Sequence, residues 1–467
     1  MNAANESGRR KLVVLITLIY VLLITEGALR KWLFPSMSQA LFFIRDPFVL
    51  LAYWLAFRHG FFPRDNPFLI AGVAVAFGSF LLATGQLLTA GGSVDGALLL
   101  TGYGFRNYFL YIPLAFVIGE VFRRPDLERI VKITLLLAVP ISVIMFVQFI
   151  SPLDSPINVG FAAANESQFR GLTVDEIHTR PMGLFTSDLG QREFTASAIA
   201  MVLALWLAPA ARRFIRFWLL VPATVAVLAC LAISGSRGAM VLSGIVAIAA
   251  VASAFVIRGG GVSARAVIWP SVIVVAAVFL YPVVFPEQYT AFMHRWDAAA
   301  AVETRYFQLG IFGRALYGFV DFYYLIGDTP LMGYGLGLAG NARLILGIVI
   351  PGFDGWAEND WARHIVDLGP FMGVVFILYR IALVVWLGKR CLSGARRAGD
   401  PTALLLFAYV AVELLYGQIS GHGTVNGYAW LFTGFCLAAA ASRNPGAESQ
   451  AVSEPLAPQP RFANLMR

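Results

Sequence analysis

Long apolar stretches separated by short polar connections cover most of this chain. A membrane-spanning helix needs about 20 mostly apolar residues, and glycine or proline within it is tolerated because neighbouring helices satisfy the freed backbone groups. Twelve stretches fit this description, at roughly residues 12–32, 39–57, 67–89, 97–119, 130–150, 193–209, 217–233, 239–257, 266–285, 366–388, 402–418 and 425–441. The pattern therefore predicts an all-α, polytopic membrane protein with about 12 transmembrane helices.

The composition supports this prediction. Hydrophobic residues make up 58% of the chain, charged residues make up 13%, and the mean hydropathy is +0.73. Soluble domains carry about 25% charged residues. The formal net charge of +8 does not by itself indicate nucleic-acid binding, because in a membrane protein the side on which basic residues lie decides their meaning. We therefore expect membrane lipids around the chain and no nucleic-acid partner.

Basic residues cluster in alternate connections. If the N-terminus is inside, every short inner connection is basic, and these connections with the two termini hold most of the 35 lysines and arginines. The positive-inside rule then places both termini in the cytoplasm. The first apolar run has no small-residue cleavage pattern after it, so we expect a retained span and not a signal peptide. Cys230, Cys391 and Cys436 lack the spacing of a metal or disulfide framework and are expected to be core residues.

These boundaries divide the chain into four regions. Residues 1–285 form a membrane domain with helices 1–9, residues 286–365 form a large helical periplasmic loop, residues 366–441 carry helices 10–12, and residues 442–467 form a disordered cytoplasmic tail. Within the loop, aromatic residues recur at helical spacing over 305–326 and predict one interfacial helix. Residues 328–337 contain G-x-G-x-G without a surrounding strand–turn–helix unit, which indicates a turn and not a nucleotide site.

The outer connections are rich in arginine, against the charge bias that orients the chain. Arginine binds phosphate through paired hydrogen bonds, so this enrichment favours an anionic ligand such as a diphosphate. For each arginine the alternative is an ion pair with an acid of the same loops. The candidate diphosphate-binding residues are Arg45, Arg106, Arg237, Arg305 and Arg314.

Three of these arginines have an informative context. Arg45 and Arg106 lie inside apolar segments, where a charge is costly and usually functional. Arg45 adjoins Asp46, so a local ion pair between these neighbours is the alternative. Arg237 lies in Ser-Gly-Ser-Arg-Gly, where small residues allow a headgroup to approach the backbone and the helix that follows offers free N–H groups to an anion. A tight turn with a surface arginine is the alternative there.

Two residues before the tenth span are candidate general bases, Glu358 and His364. A carboxylate or imidazole beside an arginine-rich pocket can deprotonate a hydroxyl group. The alternatives are a salt bridge for Glu358 and a polar position at the membrane surface for His364.

At these residues the chain resembles the O-antigen ligase and polymerase family of bacterial envelope proteins. Family members have about a dozen spans, a large periplasmic loop and an upstream arginine flanked by serine and glycine, as Arg237 is here. As in the family's loop, Arg314 stands some residues before the sequence Asp-Thr-Pro-Leu-Met-Gly-Tyr-Gly-Leu-Gly, which begins at Asp328. Asn359 and the sequence Leu-Gly-Pro-Phe-Met-Gly, which begins at Leu368, match the family's closing pattern. Glu358 stands where the family has histidine, which favours the polymerase branch or an exopolysaccharide branch. The N-terminal sequences EGALRKWLFP and QALFFIRDP also resemble exopolysaccharide members.

The resemblance implies a metal-independent membrane glycosyltransferase without a cofactor, in the bacterial inner membrane. It would polymerise oligosaccharide repeat units linked to undecaprenyl diphosphate on the periplasmic side, with a chain-length regulator or export machinery as candidate partners. The arginines would bind the diphosphate, and Glu358 or His364 would activate the acceptor hydroxyl. The alternatives are an O-antigen ligase that transfers the glycan to a lipid or protein, a polysaccharide transporter or lipid-linked glycan flippase, and an accessory subunit of an export machine.

Overall fold

The computed structural model of this chain is helical, and none of the residues that it describes forms a β-strand. The described residues are 3–89, 94–159, 179–208, 214–257, 272, 279–307, 309–339, 357 and 359–442. Their α-helices are, in chain order, α1 Ala3–Ala28, α2 Ser38–Leu41, α3 Asp46–Arg58, α4 Pro67–Thr89, α5 Val94–Phe109, α6 Ile112–Val121, α7 Arg124–Ile150, α8 Asp188–Leu207, α9 Phe217–Ile233, α10 Arg237–Val256, α11 Pro286–Tyr306, α12 Ile311–Tyr317, α13 Asp321–Leu325, α14 Asp360–Ala398, α15 Thr402–Tyr416 and α16 Gly423–Ala441. Short π and 3-10 turns, Leu29–Leu33, Pro35–Met37 and Pro156–Asn158, complete these elements.

Six helical stretches in the described part of the chain are long and apolar enough to cross a membrane. They are Asn5–Leu33, Pro35–Arg58, Pro67–Thr89, Arg124–Ile150, Arg237–Val256 and Asp360–Ala398. Two shorter apolar helices, Phe217–Ile233 and Thr402–Tyr416, accompany them. The helical membrane protein predicted from the apolar pattern is therefore confirmed.

Several predicted segments take a different form. The segment 97–119 is divided between α5 and α6, which begins with Pro113 in its first turn. The segment 366–388 is part of α14, whose two helical parts meet at the non-helical Gly369 and fold back on each other, since Arg380 donates to Asp360 at 2.5 Å. The single interfacial helix predicted over 305–326 is wrong, because Gly310 adopts a positive φ of 55° and separates α11 from α12. Most of the segment 266–285 and all of the tail after Ser442 lie outside the described residues.

The core lies around α16, most of whose residues are buried. It packs against α6, α15 and α14, and Tyr428, Trp430 and Phe432 on it are fully buried. The three cysteines are buried and unpaired, as predicted. Large apolar side chains cover the outside of the bundle, as Ile248 and Leu136 do with exposures of 72% and 71%. Such surfaces are typical of lipid-facing helices and not of soluble proteins.

Charged contacts gather at the two ends of the bundle. At one end Arg9 on α1 donates to Asp126 at 2.6 Å and to the carbonyl oxygen of Val121 at 2.9 Å. At the other end of α1, Glu26 accepts from Arg45 at 2.8 Å. A helix rises 1.5 Å per residue, so these ends are about 25 Å apart. The second end, which we call the Glu26 end, holds all the predicted site residues described below.

Candidate functional site

Arg237 and Arg314, predicted from separate motifs, meet at one carboxylate. Arg237 Nη1 and Nη2 donate to the two oxygens of Glu303 at 2.9 and 2.8 Å, and Arg314 Nη1 donates to Oε1 at 3.1 Å. Glu303 lies on α11, and its side chain is 2% exposed. The structure therefore joins the start of α10, the end of α11 and α12 at one carboxylate. We call Arg237 and Arg314, held by Glu303, the Glu303 pair of arginines.

The Ser-Gly-Ser-Arg-Gly sequence makes the turn that presents Arg237. Gly235 has a φ of 57°, which a side chain would disfavour. Ser236 caps α10 because its Oγ accepts from the backbone N–H of Ala239 at 3.3 Å. Arg237 is consequently the first residue of α10, and its guanidinium lies 5.6 Å from the centre of the Trp296 ring.

Two further arginines lie near this pair. The pKa of Arg295 is lowered to about 10 by burial and by the nearby charge of Arg237. The pKa of Arg180, which forms an ion pair with Asp188, is lowered to about 9 by burial and by Arg295, Arg237 and Arg192. A guanidinium ordinarily titrates above 12. Burial is the larger cause of both shifts, and the neighbouring guanidinium groups add to it, so several positive charges lie close together here.

Arg305 does not join this group. It is exposed on α11, and none of the described contacts connects it to Glu303. Its predicted role in binding the diphosphate stays a prediction.

Arg45 and Arg106 lie in a second group. Arg45 Nε donates to Glu26 at 2.8 Å, and Arg106 Nε donates to Asp46 at 2.8 Å. The alternative of a local ion pair between Arg45 and Asp46 is therefore not the arrangement found, because each residue pairs with a different helix. Arg45 Nη2 also donates to the carbonyl oxygen of Gly423, at the start of α16, at 3.2 Å.

His364 lies inside a buried polar network. Its side chain is 0% exposed, with Nε2 2.6 Å from Arg380 Nη1 and Nδ1 3.4 Å from the hydroxyl of Tyr108. Arg380 also donates to Asp360 at 2.5 Å. The structure thus surrounds His364 with partners of its own, and its predicted role as a base stays a prediction.

Glu358, the other predicted base, lies outside the described residues. Its neighbour Asn359 donates from Nδ2 to Asp321 Oδ2 at 2.6 Å. This contact connects the start of α14 to α13, and so to the part of the loop that carries Arg314.

The two glycine-containing motifs of the loop and of α14 pack against each other. Backbone N–H groups of Tyr334 and Gly335 donate to the carbonyl oxygens of Val366 and Asp367 at 2.8 and 3.2 Å. The Asp367 carboxylate accepts from the backbone N–H of Ala339 at 2.7 Å and from the Tyr108 hydroxyl at 2.8 Å. Segments that are distant in sequence therefore form one surface at the Glu26 end.

Sequence reasoning missed several residues of this end. Asp360 and Asp367 lie four residues before and three residues after the predicted His364 and so share a helix face with it, a signal that was available. Arg380, in an apolar run, was visible as an intramembrane charge. Glu303 and His422 carried no local signal, and the carboxylates of Glu193 and Glu413, both paired with Arg192, lie on different helices.

Neither a protein-family model nor a curated protein matches this chain.

Proposed function

We propose that the chain is a membrane glycosyltransferase that polymerises undecaprenyl-diphosphate-linked oligosaccharide repeat units on the periplasmic side of the bacterial inner membrane. In this proposal the chain has twelve spans, cytoplasmic termini and a periplasmic loop between the ninth and tenth spans. A chain-length regulator or export machinery would be its partner. The observation that carries the proposal is the meeting of Arg237 and Arg314 at Glu303, since these two arginines are the ones that the resemblance assigns to the donor diphosphate.

The geometry suits a leaving group with several negative charges. Glu303 fixes two guanidinium groups in orientation, and Arg180 and Arg295 add positive charge nearby. In the described ion pairs these four arginines share two carboxylates, Glu303 and Asp188, so positive charge is in excess. Groups held in place before the reaction stabilise the charge that develops on the departing diphosphate without reorganisation cost.

The proposed reaction is a displacement at the anomeric carbon of the donor. A hydroxyl oxygen of the acceptor sugar bonds to that carbon while the bond from the carbon to the diphosphate oxygen breaks. Glu358 takes the hydroxyl proton, and undecaprenyl diphosphate leaves toward Arg237 and Arg314. His364 would act by positioning the start of α14, because Arg380 and Tyr108 occupy its ring nitrogens.

The test is complementation of a strain in which the gene is deleted, with the glycans on undecaprenyl diphosphate as readout. Arg237→Ala and Arg314→Ala should each reduce polymer by about 10²-fold or more, the usual effect of removing a donor to a developing negative charge. Single repeat units should accumulate on the outer leaflet. Glu358→Ala should also reduce polymer. Glu358→His should retain activity if glutamate and histidine play the same base-like role at this position.

Arg396→Ala is the matched control, since this arginine is exposed and belongs to the inner connection predicted after the tenth span. Full-length polymer from the Arg237 and Arg314 variants at normal protein levels would overturn the proposal. Polymer that forms but stays on its lipid carrier would indicate a ligase instead, and repeat units retained on the cytoplasmic leaflet would indicate a flippase.

A further inference from the structure

The start of α16 is a partly exposed backbone turn with buried arginines around it. Residues 421–424 are half-buried, whereas Arg45 and Arg363 are 1% and 4% exposed. The helix has 19 residues, and its N-cap His422 makes no capping side-chain hydrogen bond. The first N–H groups of such a helix have no partner within it and carry partial positive charge.

Arg45 approaches this turn from α3. Its Nε and Nη2 are hydrogen-bonded, but its buried Nη1 has no hydrogen-bond partner. A Cβ atom added to Gly427 would lie 2.5 Å from that Nη1. Glycine at this position thus lets the unpartnered nitrogen lie against the first turns of α16.

Arg363 approaches the same turn from α14. Its Nη2 donates to the carbonyl oxygen of Ala357 at 2.9 Å, while its buried Nε and Nη1 have no hydrogen-bond partner. The carboxylate of Asp360 is 3.6 Å from Nη1 and is shared with Arg380. A Cβ atom added to Gly421 would lie 1.6 Å from Nη1, so this guanidinium lies directly on the backbone before α16.

His422 completes the group. Its Nε2 lies 2.9 Å from the hydroxyl of Ser187, and its buried Nδ1 has no hydrogen-bond partner. Burial and the charges of Arg192, Arg45, Arg30 and Arg363 lower its pKa to about 4. The ring is therefore neutral at physiological pH.

We propose that Arg45, Arg363, His422 and the start of α16 form a binding site for a small oxyanion, either a carboxylate or a phosphate group. A buried donor without a partner destabilises the fold, and an oxyanion would satisfy donors that arrive here from three helices. The site is separate from the Glu303 pair of arginines, because it uses neither Arg237 nor Arg314, and it assigns Arg45, a diphosphate candidate from the sequence, to the small oxyanion instead. In a glycan, a uronic acid or a phosphate substituent would supply the anion.

The test is calorimetric titration of the full-length protein in nanodiscs with inorganic phosphate or with glucuronate, at constant ionic strength set by chloride. Wild-type protein should bind at least one of them saturably. Gly421→Ala and Gly427→Ala should each weaken binding about tenfold or more, because the added methyl group displaces a guanidinium without changing the charge. Tighter binding of glucuronate would identify a sugar carboxylate as the ligand, and tighter binding of phosphate would identify a phosphate.

Gly244→Ala is the control, since a Cβ there would meet no other atom within 4 Å. Absence of saturable binding of both anions, or unchanged affinity in both glycine variants, would overturn the proposal. If either glycine variant loses helix content by circular dichroism, Arg363→Lys and His422→Gln decide in the same assay, with weaker binding expected from both. Because no glycan is present, a failed glycosyltransferase activity would leave this result unaffected.

Discussion

Glu303 shows how one buried acid can organise a site made of distant arginines. It orients Arg237 through two hydrogen bonds and Arg314 through one. Burial raises the pKa of Glu303, but the hydrogen bonds and charges of Arg237 and Arg314 outweigh it, so the pKa lies below its ordinary value of 4.5. The ionised form is therefore the one that stabilises the fold.

This depressed pKa predicts a dependence of stability on pH. A carboxyl group with a lower pKa when folded contributes stability that is fully present above pH 4.5 and is lost as the pH falls through the folded value. Glu303→Gln should therefore lower the free energy of unfolding by about 2 kcal/mol at pH 7. This difference from wild type should shrink below pH 4.5. Thermal unfolding in detergent at several pH values measures both.

Asp297→Asn is the matched control, because Asp297 lies on the same helix, α11, and is exposed. It should change the melting temperature little at any pH. A Glu303→Gln difference that stayed constant from pH 7 down to acid conditions would contradict the assigned role of the carboxylate.

At the scale of elements, the bend in α14 makes the surface at the Glu26 end possible. Gly369 adopts a φ of 80°, and a Cβ there would lie 2.2 Å from the carbonyl oxygen of Leu331. Gly333 approaches the same position from the loop, because a Cβ added to Gly333 would lie 2.4 Å from the backbone nitrogen of Gly369. Both the backbone conformation and the close approach therefore require glycine at position 369.

Replacement of Gly369 by alanine tests this junction. Gly369 has a ψ of 166°, and a residue with a side chain in this region of positive φ should cost about 1–3 kcal/mol. The clash with Leu331 should add about 1–3 kcal/mol. Gly60→Ala separates the two effects, because Gly60 has a φ of 72° but no atom within 4 Å of an added Cβ. Thermal unfolding should rank the Gly369 variant clearly below the Gly60 variant, and equal melting temperatures would show that the loop does not pack on α14 as described.

Elements were more predictable from sequence than contacts. Apolar length is a local property, so the long helices were visible, although glycines divided the helix predicted over 305–326. Ion pairs depend on packing between helices. Arg45 pairs with Glu26 and not with its neighbour Asp46, because adjacent residues on a helix do not face each other. Glu303 lies 66 positions from Arg237, so no local pattern could have joined them.

For the whole molecule, the contacts at the Glu26 end constrain the path of the chain. Arg237 begins α10 at the Glu26 end, and α10 has 20 residues, which carry the chain about 30 Å away. Tyr281 nevertheless donates from its hydroxyl to the carbonyl oxygen of Ala232, five positions before Arg237, at 2.7 Å, so by residue 281 the chain is again at the Glu26 end. The ninth span, predicted from the apolar pattern at residues 266–285, would account for this crossing and stays a prediction.

This path predicts which exposed sites a membrane-impermeant maleimide can label in intact spheroplasts. On a background in which Cys230, Cys391 and Cys436 are replaced by serine or alanine, Asp297→Cys on α11 should react from outside. Ser7→Cys on α1 and Ser393→Cys near the end of α14, both exposed, should react only after permeabilisation. Labelling of all three from the same side would rule out the ninth crossing. Exchange of the two sides would instead keep the crossing and reverse the orientation that the basic connections predict.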